Sequence, residues 1–232
     1  MRRPDSALLL IGSPKPGSSS SASLGTYLQE RLAARGIATE TVVLAKALKT
    51  DEGTQALLGA SAAADLVVLS FPLYVDSLPA HVVRAFELIA ESRAEDAPDA
   101  QVLGALEQPR FVAICQCGFP EVEHNRVALE ICANFARTAG FDWAGGLAMG
   151  AGGLIADRPL RERGGLLRSV TRALDLSATE LADGRPVPAE AVRLMSRTAF
   201  PAFAYRFVAN RGWRAELKKR GAVTPLDARP YA

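Results

Sequence analysis

Cysteine and histidine are scarce in this chain. Its 232 residues include three cysteines, Cys115, Cys117 and Cys132, and two histidines. A small, odd number of cysteines argues against a disulfide framework and favours a reducing compartment, so we expect a cytoplasmic protein. A tetrahedral metal site needs about four ligands, and Cys115 and Cys117 are spaced one residue closer than the usual metal-binding pair. We therefore predict that the protein binds no metal.

The chain also lacks long apolar runs and a strong charge of either sign. The apolar run at residues 7–11 is too short for the core of a signal peptide, and no run approaches the roughly 18 to 20 residues of a membrane span. The net charge is only +2, with 22% charged residues. This balance favours neither nucleic acid nor a membrane surface. We expect small-molecule partners, no nucleic acid and no integral membrane span.

Apolar residues make up 49% of the chain, which is enough for one main domain with an extension. We predict strands at residues 7–11, 39–44, 65–70, 111–115 and 141–149; the first is an apolar run, and the third contains an apolar block at residues 66–69. Helical spacing predicts helices at 24–35, 51–64, 79–91, 125–139 and 159–181. The alternation predicts an α/β fold whose parallel sheet has helices on both faces, in the flavodoxin-like strand order 2-1-3-4-5.

The first predicted loop is rich in serine and glycine. From Gly12 it reads Gly-Ser-Pro-Lys-Pro-Gly and continues with four serines to Ser21. Hydroxyl and N–H groups at a helix N-terminus can enclose a phosphate, with Lys15 adding charge, although a plain serine N-cap is the alternative. The loop lacks the third glycine of the dinucleotide fingerprint, and Ser18 stands where a P-loop has lysine. A terminal monophosphate, such as that of FMN, fits the loop best.

The loop after the third strand carries an apolar and aromatic lip. It spans residues 71–79 and contains Leu73 and Tyr74. The first and third strands are neighbours in the order 2-1-3-4-5, so this loop faces the serine loop across the topological switch point. Leu73 and Tyr74 could lie there against a planar ring, and covering the edge of the core is the alternative.

The loop after the fourth strand contains Cys117, Glu121, Glu123 and His124. We interpret Glu123 and His124 chiefly as the start of the next helix and predict no dedicated catalytic residue, because a flavin carries its own redox chemistry. Contact between His124 and a substrate is the alternative. Beside a flavin, Cys117 would be exposed to redox chemistry, whereas Cys115 is expected to be an inert core thiol.

These motifs resemble those of the NAD(P)H-dependent FMN reductases and multimeric flavodoxins. The resemblance spans roughly residues 7–150 and rests on the first loop, on residues 72–79 and on residues 117–120. Lys15 departs from the arginine usual in the family, and the compact cysteine cluster of its iron–sulfur branch is lacking. The resemblance implies a phosphate site formed by Ser13, Pro14, Lys15, Ser19, Ser20 and Ser21, a ring site formed by Pro72, Leu73, Tyr74 and Val75, and closure of the site by Gly118 and Phe119.

The function that this resemblance implies is that of an FMN-binding oxidoreductase. Such an enzyme takes hydride from NADH or NADPH and reduces a small acceptor, for example a quinone, a nitro compound or a free flavin. Two alternatives stay open: a non-enzymatic flavodoxin-like electron carrier, and a flavin-free binding module with the same fold. The near-neutral charge argues against a carrier, because small carriers usually dock through one strongly charged face.

The C-terminal part differs in composition from the rest. We predict an FMN-binding domain at residues 1–184 and a helical, basic extension at 185–232, with a helix near 189–210 interrupted at Pro201. Six basic residues and one acidic residue lie between Arg206 and Arg220, among several aromatics. We favour a packed helix with a solvated basic end over a site for an anionic membrane or an acidic protein. Either the flavin-site loops or this extension could contact a second copy of the chain.

Overall fold

The computed structural model describes residues 2–15, 19–95, 108–155, 160–197 and 202–221. The chain divides into two compact units, Met1–Arg197 and Thr198–Ala232. The first unit contains a β-sheet with its helices, and the described part of the second unit contains one helix. No described helix is both long enough and apolar enough to cross a membrane.

The sheet has five parallel strands in the order 2-1-3-4-5, as predicted. Every residue of the third strand is buried, which explains its apolar block at residues 66–69, whereas the second strand lies at an edge and is mostly exposed. The strands are β1 (Ser6–Ile11), β2 (Ala38–Val43), β3 (Leu66–Pro72), β4 (Arg110–Gln116) and β5 (Asp142–Met149).

Helices cover both faces of the sheet. Alternate residues of β1 face opposite sides, so Leu9 belongs to the same buried cluster as Leu28 and Leu174, and Leu8 belongs to a second cluster with Phe86 and Phe135. The helices are α1 (Ser20–Ala33), α2 (Leu44–Ala47), α3 (Asp51–Ala63), α4 (Ala80–Glu95), α5 (Arg126–Thr138), α6 (Arg168–Ala182), α7 (Ala189–Met195) and α8 (Ala202–Lys219). The predicted flavodoxin-like architecture is therefore confirmed.

Three of the predicted helices begin differently from the prediction. The first of them, α1, begins at Ser20 rather than at residue 24, because Ser19 is its N-cap. The helix predicted at 125–139 begins as a 3-10 turn, Val122–Asn125, before α5, and the one predicted at 159–181 begins as a 3-10 segment, Leu160–Leu167, before α6. That second segment contains Gly164 and Gly165, which disfavour a regular α-helix. The four-residue α2 was not predicted, because so short a helix has no readable periodicity.

The C-terminal helix predicted at 189–210 is divided into α7 and α8. Ala191 and Met195 of α7 are buried in the core of the first unit, so the compact unit continues past residue 184 to Arg197. Pro201, the predicted interruption, lies outside the described residues. In the second unit, α8 exposes Phe203, Phe207 and Trp213.

Candidate functional site

Four loops meet at the carboxyl edge of the sheet, because all strands are parallel and end on the same side. The first loop, residues 12–19, follows β1, and the second loop, residues 73–79, follows β3. The third loop, residues 117–121, follows β4, and the fourth loop, residues 150–155, follows β5. Within the first loop, Pro16, Gly17 and Ser18 lie outside the described residues.

Two serines of the first loop are buried and accept backbone hydrogen bonds. Ser19 is the N-cap of α1, and its Oγ accepts a hydrogen bond from the N–H of Ala22 at 3.1 Å. The Oγ of Ser13 accepts from the N–H of Lys15 at 3.4 Å. Each hydroxyl oxygen acts as an acceptor in these bonds, so the bonds do not use its proton. Pro14 and Lys15 are exposed at the surface of the loop.

Ser20 and Ser21 have different surroundings, although they are neighbours in the first turn of α1. The Oγ of Ser20 donates to the carbonyl oxygen of Gly152 at 2.9 Å and so joins the first loop to the fourth. Ser21 lies on the buried face of α1 with Leu24 and Leu28, and its Oγ has no hydrogen-bond partner. Burying a hydroxyl group without a hydrogen bond costs about 1–3 kcal/mol. The Ser21 hydroxyl group is therefore a hydrogen-bond donor that is not used at the start of α1.

Gly12 holds the first loop against β3 and α4. Its N–H donates to the carbonyl oxygen of Ser70 at 2.8 Å, and His81 Nε2 lies 3.0 Å from its own carbonyl oxygen. A Cβ atom at this position would lie 2.7 Å from side-chain atoms of Phe71 and Val82, which leaves no room for any residue except glycine. The role of His81 was not predicted, because nothing in the pattern of α4 connects this residue with the preceding strands.

The second loop is a tight hairpin that presents an exposed side-chain rim. Tyr74 and Ser77 exchange two backbone hydrogen bonds of 2.9 and 3.0 Å around Val75 and Asp76. Both central residues have positive φ, 49° and 55°, as in a type I′ turn. Tyr74 is 44% exposed and Val75 fully exposed, whereas Pro72 and Leu73 lie deeper. The turn therefore presents Tyr74 and Val75 to the solvent at this edge of the sheet.

The third loop exposes an aromatic residue and buries its cysteine. Phe119 is 61% exposed, and Gly118 beside it is also exposed. Cys117 is only 3% exposed, and its Sγ donates to the carbonyl oxygens of Phe119 and Glu121. Burial raises the pKa of the Cys117 thiol. The expectation that Cys117 is exposed to redox chemistry is therefore wrong, because the loop folds over its sulfur.

His124 connects the second and third loops. Its Nδ1 lies 3.2 Å from Oδ1 of Asp76, which is 48 residues earlier in the sequence and on the neighbouring strand's loop. The ring centroid of Phe119 is 5.2 Å from that of His124, with the planes tilted by 39°. The pair of Asp76 and His124 was not predicted, since sequence spacing gives no sign that the two loops touch.

Asn125 fastens the base of the third loop from inside the core. It is fully buried, and its Nδ2 donates to the carbonyl oxygens of Val122 and Met149 at 3.0 and 3.3 Å. Its Oδ1 accepts from the Sγ of Cys115 at 3.0 Å. The sequence shows Asn125 only as a polar residue near a helix start, so this role was missed.

The fourth loop supports the third through its backbone. The N–H of Ala151 donates to the carbonyl oxygen of Phe119, and the N–H of Gly152 donates to that of Cys117. Gly150 packs so closely that a Cβ atom would lie 2.5 Å from the carbonyl oxygen of Pro120. This contact gives a physical reason for the glycines that follow β5.

The structure thus brings the predicted phosphate residues and the predicted ring residues to one edge of the sheet. Ser13, Ser19 and Ser20 follow β1, Tyr74 and Val75 follow β3, and Gly118 and Phe119 follow β4. Within the described ranges, no group of three or more histidine, cysteine, aspartate or glutamate side chains could hold a metal ion. The three cysteines are free thiols.

Solved structures of several flavoproteins have a fold similar to that of this chain. The apo form of the NADH:FMN oxidoreductase EMOB aligns with a TM-score of 0.56 and 14% identity, over 84% of this chain and 96% of that one. An FMN-dependent NADH-azoreductase from Bacillus anthracis aligns at 0.55 and 14% identity, over 77% and 99%. RosB with bound 8-demethyl-8-formylriboflavin-5'-phosphate aligns at 0.58 and 12% identity, over 98% and 92%. At these identities the likeness establishes the fold.

Comparison with protein-family models adds a second finding. Residues 6–106 match the family described as NADPH-dependent FMN reductase, a stretch that contains the first and second loops. A search of curated proteins gives no significant match. The family match confirms the resemblance drawn from the sequence. The chain has a flavodoxin-like fold and, over residues 6–106, is similar to the NADPH-dependent FMN reductases.

Proposed function

We propose that this protein is an FMN-dependent oxidoreductase that takes electrons from NADH or NADPH and passes them to a small acceptor, such as a quinone, a nitro compound or a free flavin. One observation carries the proposal: a serine-capped helix N-terminus and an exposed aromatic rim follow neighbouring strands, β1 and β3. These two features correspond to the two ends of FMN, its phosphate and its isoalloxazine ring.

The start of α1 suits a phosphate group. The N-terminus of a helix presents unpaired N–H groups and the positive end of the helix dipole. Ser13 and Ser19 act as acceptors toward the backbone and keep their hydroxyl protons, and Lys15 adds a positive charge at the exposed side of the loop. Ser21 adds a hydroxyl group that has no partner in the first helical turn. These residues would hold the phosphate, with Pro14 shaping the loop.

The rim formed by Tyr74, Val75 and Phe119 suits a planar ring. All three side chains are exposed although they are large and apolar or aromatic, and clustered exposed groups of this kind are typical of ligand-binding surfaces. Pro72 and Leu73 form the deeper part of the second loop, and Gly118 lets the third loop approach without a side chain. These residues would hold and orient the ring, and the apolar rim would exclude water from one side of it.

Bound FMN would supply the redox chemistry by accepting electrons from the nicotinamide and delivering them to the acceptor. The protein's own task is then to bind and orient, and no acid–base residue is assigned. The two similar structures that are described as an FMN-dependent azoreductase and as a complex with a flavin phosphate support a flavin as the ligand. A small-molecule acceptor, a cytoplasmic location and association with a second copy of the chain stay predictions.

Binding of FMN and of riboflavin tests the phosphate site. The two ligands share the ring, and only FMN carries the phosphate. Replacing Ser19, Ser20 and Ser21 together by alanine is expected to weaken FMN binding by at least ~2 kcal/mol, since a hydrogen bond to a charged group contributes about 1.5–3 kcal/mol. Riboflavin affinity should change far less.

Ser61→Ala is the matched control, because the Oγ of Ser61 is also buried without a partner but lies in α3. Affinities can be followed by quenching of flavin fluorescence. Equal losses for FMN and riboflavin in the triple variant would contradict the placement of the phosphate.

The colour of the purified protein separates the enzyme from the two other candidate functions. A flavin-free module would show no flavin absorbance after saturation with FMN and desalting. Bleaching of bound FMN by NADPH or NADH under argon is expected of the enzyme. A yellow protein that neither nucleotide bleaches would favour the electron carrier.

A further inference from the structure

The contact between Asp76 and His124 joins two loops that belong to different strands. Asp76 lies at the tip of the second loop, and His124 follows the third loop in a 3-10 turn. Their side chains approach to 3.2 Å between Oδ1 and Nδ1, at 69% and 40% exposure. A histidine Nδ1–H donates to a carboxylate whether the ring is neutral or charged, provided that Nδ1 carries the proton.

The second loop needs such an external support. Val75 and Asp76 both adopt left-handed backbone conformations, and a β-branched residue is strongly disfavoured there. Glycine or asparagine would hold a type I′ turn without strain. Because Val75 is fully exposed, burial of its side chain does not compensate for the strain, and contacts with the surroundings must hold the turn in place. The carboxylate of Asp76 provides one such contact.

The third loop, in contrast, is held by hydrogen bonds from the fourth loop and from the core. The fourth loop holds its backbone at Cys117 and Phe119, and Asn125 anchors its base in the core. His124 also lies against the ring of Phe119. The contact between His124 and Asp76 therefore connects a well-supported loop to a strained one.

We propose that Asp76 and His124 form a latch that holds Tyr74 and Phe119 at a fixed separation for the isoalloxazine ring. Both are positioning residues: they act through the loops and control the affinity for the ring rather than for the phosphate. This inference rests on the proposed binding of FMN at this edge of the sheet. It assigns a function to His124 other than acid–base catalysis or the start of a helix.

Flavin affinities of single and double variants test the latch. Asp76→Ala removes the acceptor, and His124→Phe removes the donor while it keeps a ring beside Phe119. We expect each variant to weaken FMN and riboflavin by the same factor, about two- to fivefold, as for the loss of an exposed ion pair. The double variant should be no weaker than the weaker single variant, because both changes break one interaction.

Two further variants serve as controls. Asp76→Asn keeps an acceptor oxygen and a residue type that tolerates positive φ, so its flavin affinities should stay within about twofold of the wild type. Glu123→Gln removes a neighbouring exposed carboxylate that is outside the latch and should have no effect. Backbone amide exchange of residues 73–77 in the flavin-free protein should be faster in Asp76→Ala, which gives a readout independent of activity.

The outcomes separate the latch from the proposed function. Wild-type protein that binds neither flavin would overturn the proposed function and the latch with it. If the wild type binds FMN while Asp76→Ala and His124→Phe bind both flavins normally, or lose affinity additively, the latch alone is overturned. If His124→Phe does not fold, Asp76→Ala, compared with Asp76→Asn, still decides the question by affinity and exchange.

Discussion

At the scale of single residues, Val75 is the position where backbone conformation and residue type disagree most. Its φ is 49° and its side chain is fully exposed, so the valine gains nothing from burial. Left-handed conformation costs a non-glycine residue about 1–2 kcal/mol, and asparagine tolerates it best. Val75→Asn is therefore expected to raise the free energy of unfolding by about 1 kcal/mol, which corresponds to about 2–4 °C in Tm for a domain of this size.

The matched control is Val127→Asn. Val127 is also an exposed valine, but it lies in α5 with ordinary helical conformation. Asparagine has no conformational advantage there, so the control should be neutral or slightly destabilising. Thermal unfolding of both variants in the flavin-free protein decides the matter. A lower Tm for Val75→Asn than for Val127→Asn would show that the turn is not strained.

The same residue shows where sequence analysis reached its limit. Tyr74 and Val75 were predicted as part of the ring site because of their loop, and both are exposed there. The left-handed turn could not be predicted, because valine at this position argues against it. The contact between Asp76 and His124 could not be predicted from the sequence either, since it depends on how two loops approach each other after the sheet has formed.

At the scale of secondary structure, the strands were the most predictable elements. The runs that became β1, β3 and β4 contain continuous apolar blocks, at residues 7–11, 66–69 and 111–115, because both sides of these strands are covered by helices. The strand order then followed from general rules of parallel sheets. The starts of α5 and α6 were less predictable, since the 3-10 segments before them depend on tertiary contacts and on local glycines.

The packing of the fourth loop against the third loop gives a prediction for Gly150. A Cβ atom there would meet backbone atoms only, at 2.5 Å from the carbonyl oxygen and 3.0 Å from the carbonyl carbon of Pro120. Backbone cannot rotate away, so Gly150→Ala must displace the third loop. We expect a loss of about 1–3 kcal/mol in the free energy of unfolding, as for overpacking, together with weaker flavin binding.

Gly118→Ala provides the comparison, because a Cβ atom at Gly118 would meet nothing within 4 Å. Both glycines belong to the same edge of the sheet, but only Gly150 is enclosed. Urea unfolding of the two variants tests the contrast in stability, and FMN titration of Gly150→Ala measures the loss of flavin affinity. Equal free energies of unfolding for Gly150→Ala and Gly118→Ala would mean that the third loop can be displaced without an energetic cost.

The connection between β4 and α5 is stabilised by the hydrogen bonds that the Nδ2 group of Asn125 donates. Asn125→Asp keeps the shape of the side chain but replaces the Nδ2 donor by a carboxylate oxygen that faces the carbonyl oxygens of Val122 and Met149. Burying such a charge without donors should lower the free energy of unfolding by at least about 2 kcal/mol at neutral pH. Urea unfolding measures the loss.

Asn134→Asp is the control for this substitution. Asn134 is exposed on α5 and accepts a hydrogen bond from Arg137, so a carboxylate there should change stability by no more than about 0.5 kcal/mol. The deficit of Asn125→Asp should also shrink at low pH, where a protonated carboxyl group can donate again. A deficit that does not depend on pH would point to packing rather than to the lost donor.

At the scale of the whole molecule, the three free thiols make the free energy of unfolding depend on pH in the alkaline range. Cys115 and Cys132 are fully buried, and burial raises the pKa of both thiols strongly; it also raises the pKa of Cys117. In the unfolded chain, a cysteine thiol has a pKa of about 8.5. Above that pH the unfolded chain releases protons that the folded chain keeps, so stability is fully present below this value and falls as the pH rises.

Each buried thiol can lower the free energy of unfolding by up to about 1.4 kcal/mol per pH unit above its unfolded pKa. Urea unfolding between about pH 8.5 and 9.5 measures this slope before tyrosine and lysine titrate substantially. Cys132→Ala should lower stability at every pH through lost packing, but it should also flatten the slope by about a third to a half, because one of the two strongly shifted thiols is gone and Cys117 is shifted less. The slope, unlike the offset, reports ionisation alone. An unchanged slope in Cys132→Ala would show that this thiol ionises as easily in the folded protein as in the unfolded chain, contrary to its burial between α5 and the sheet.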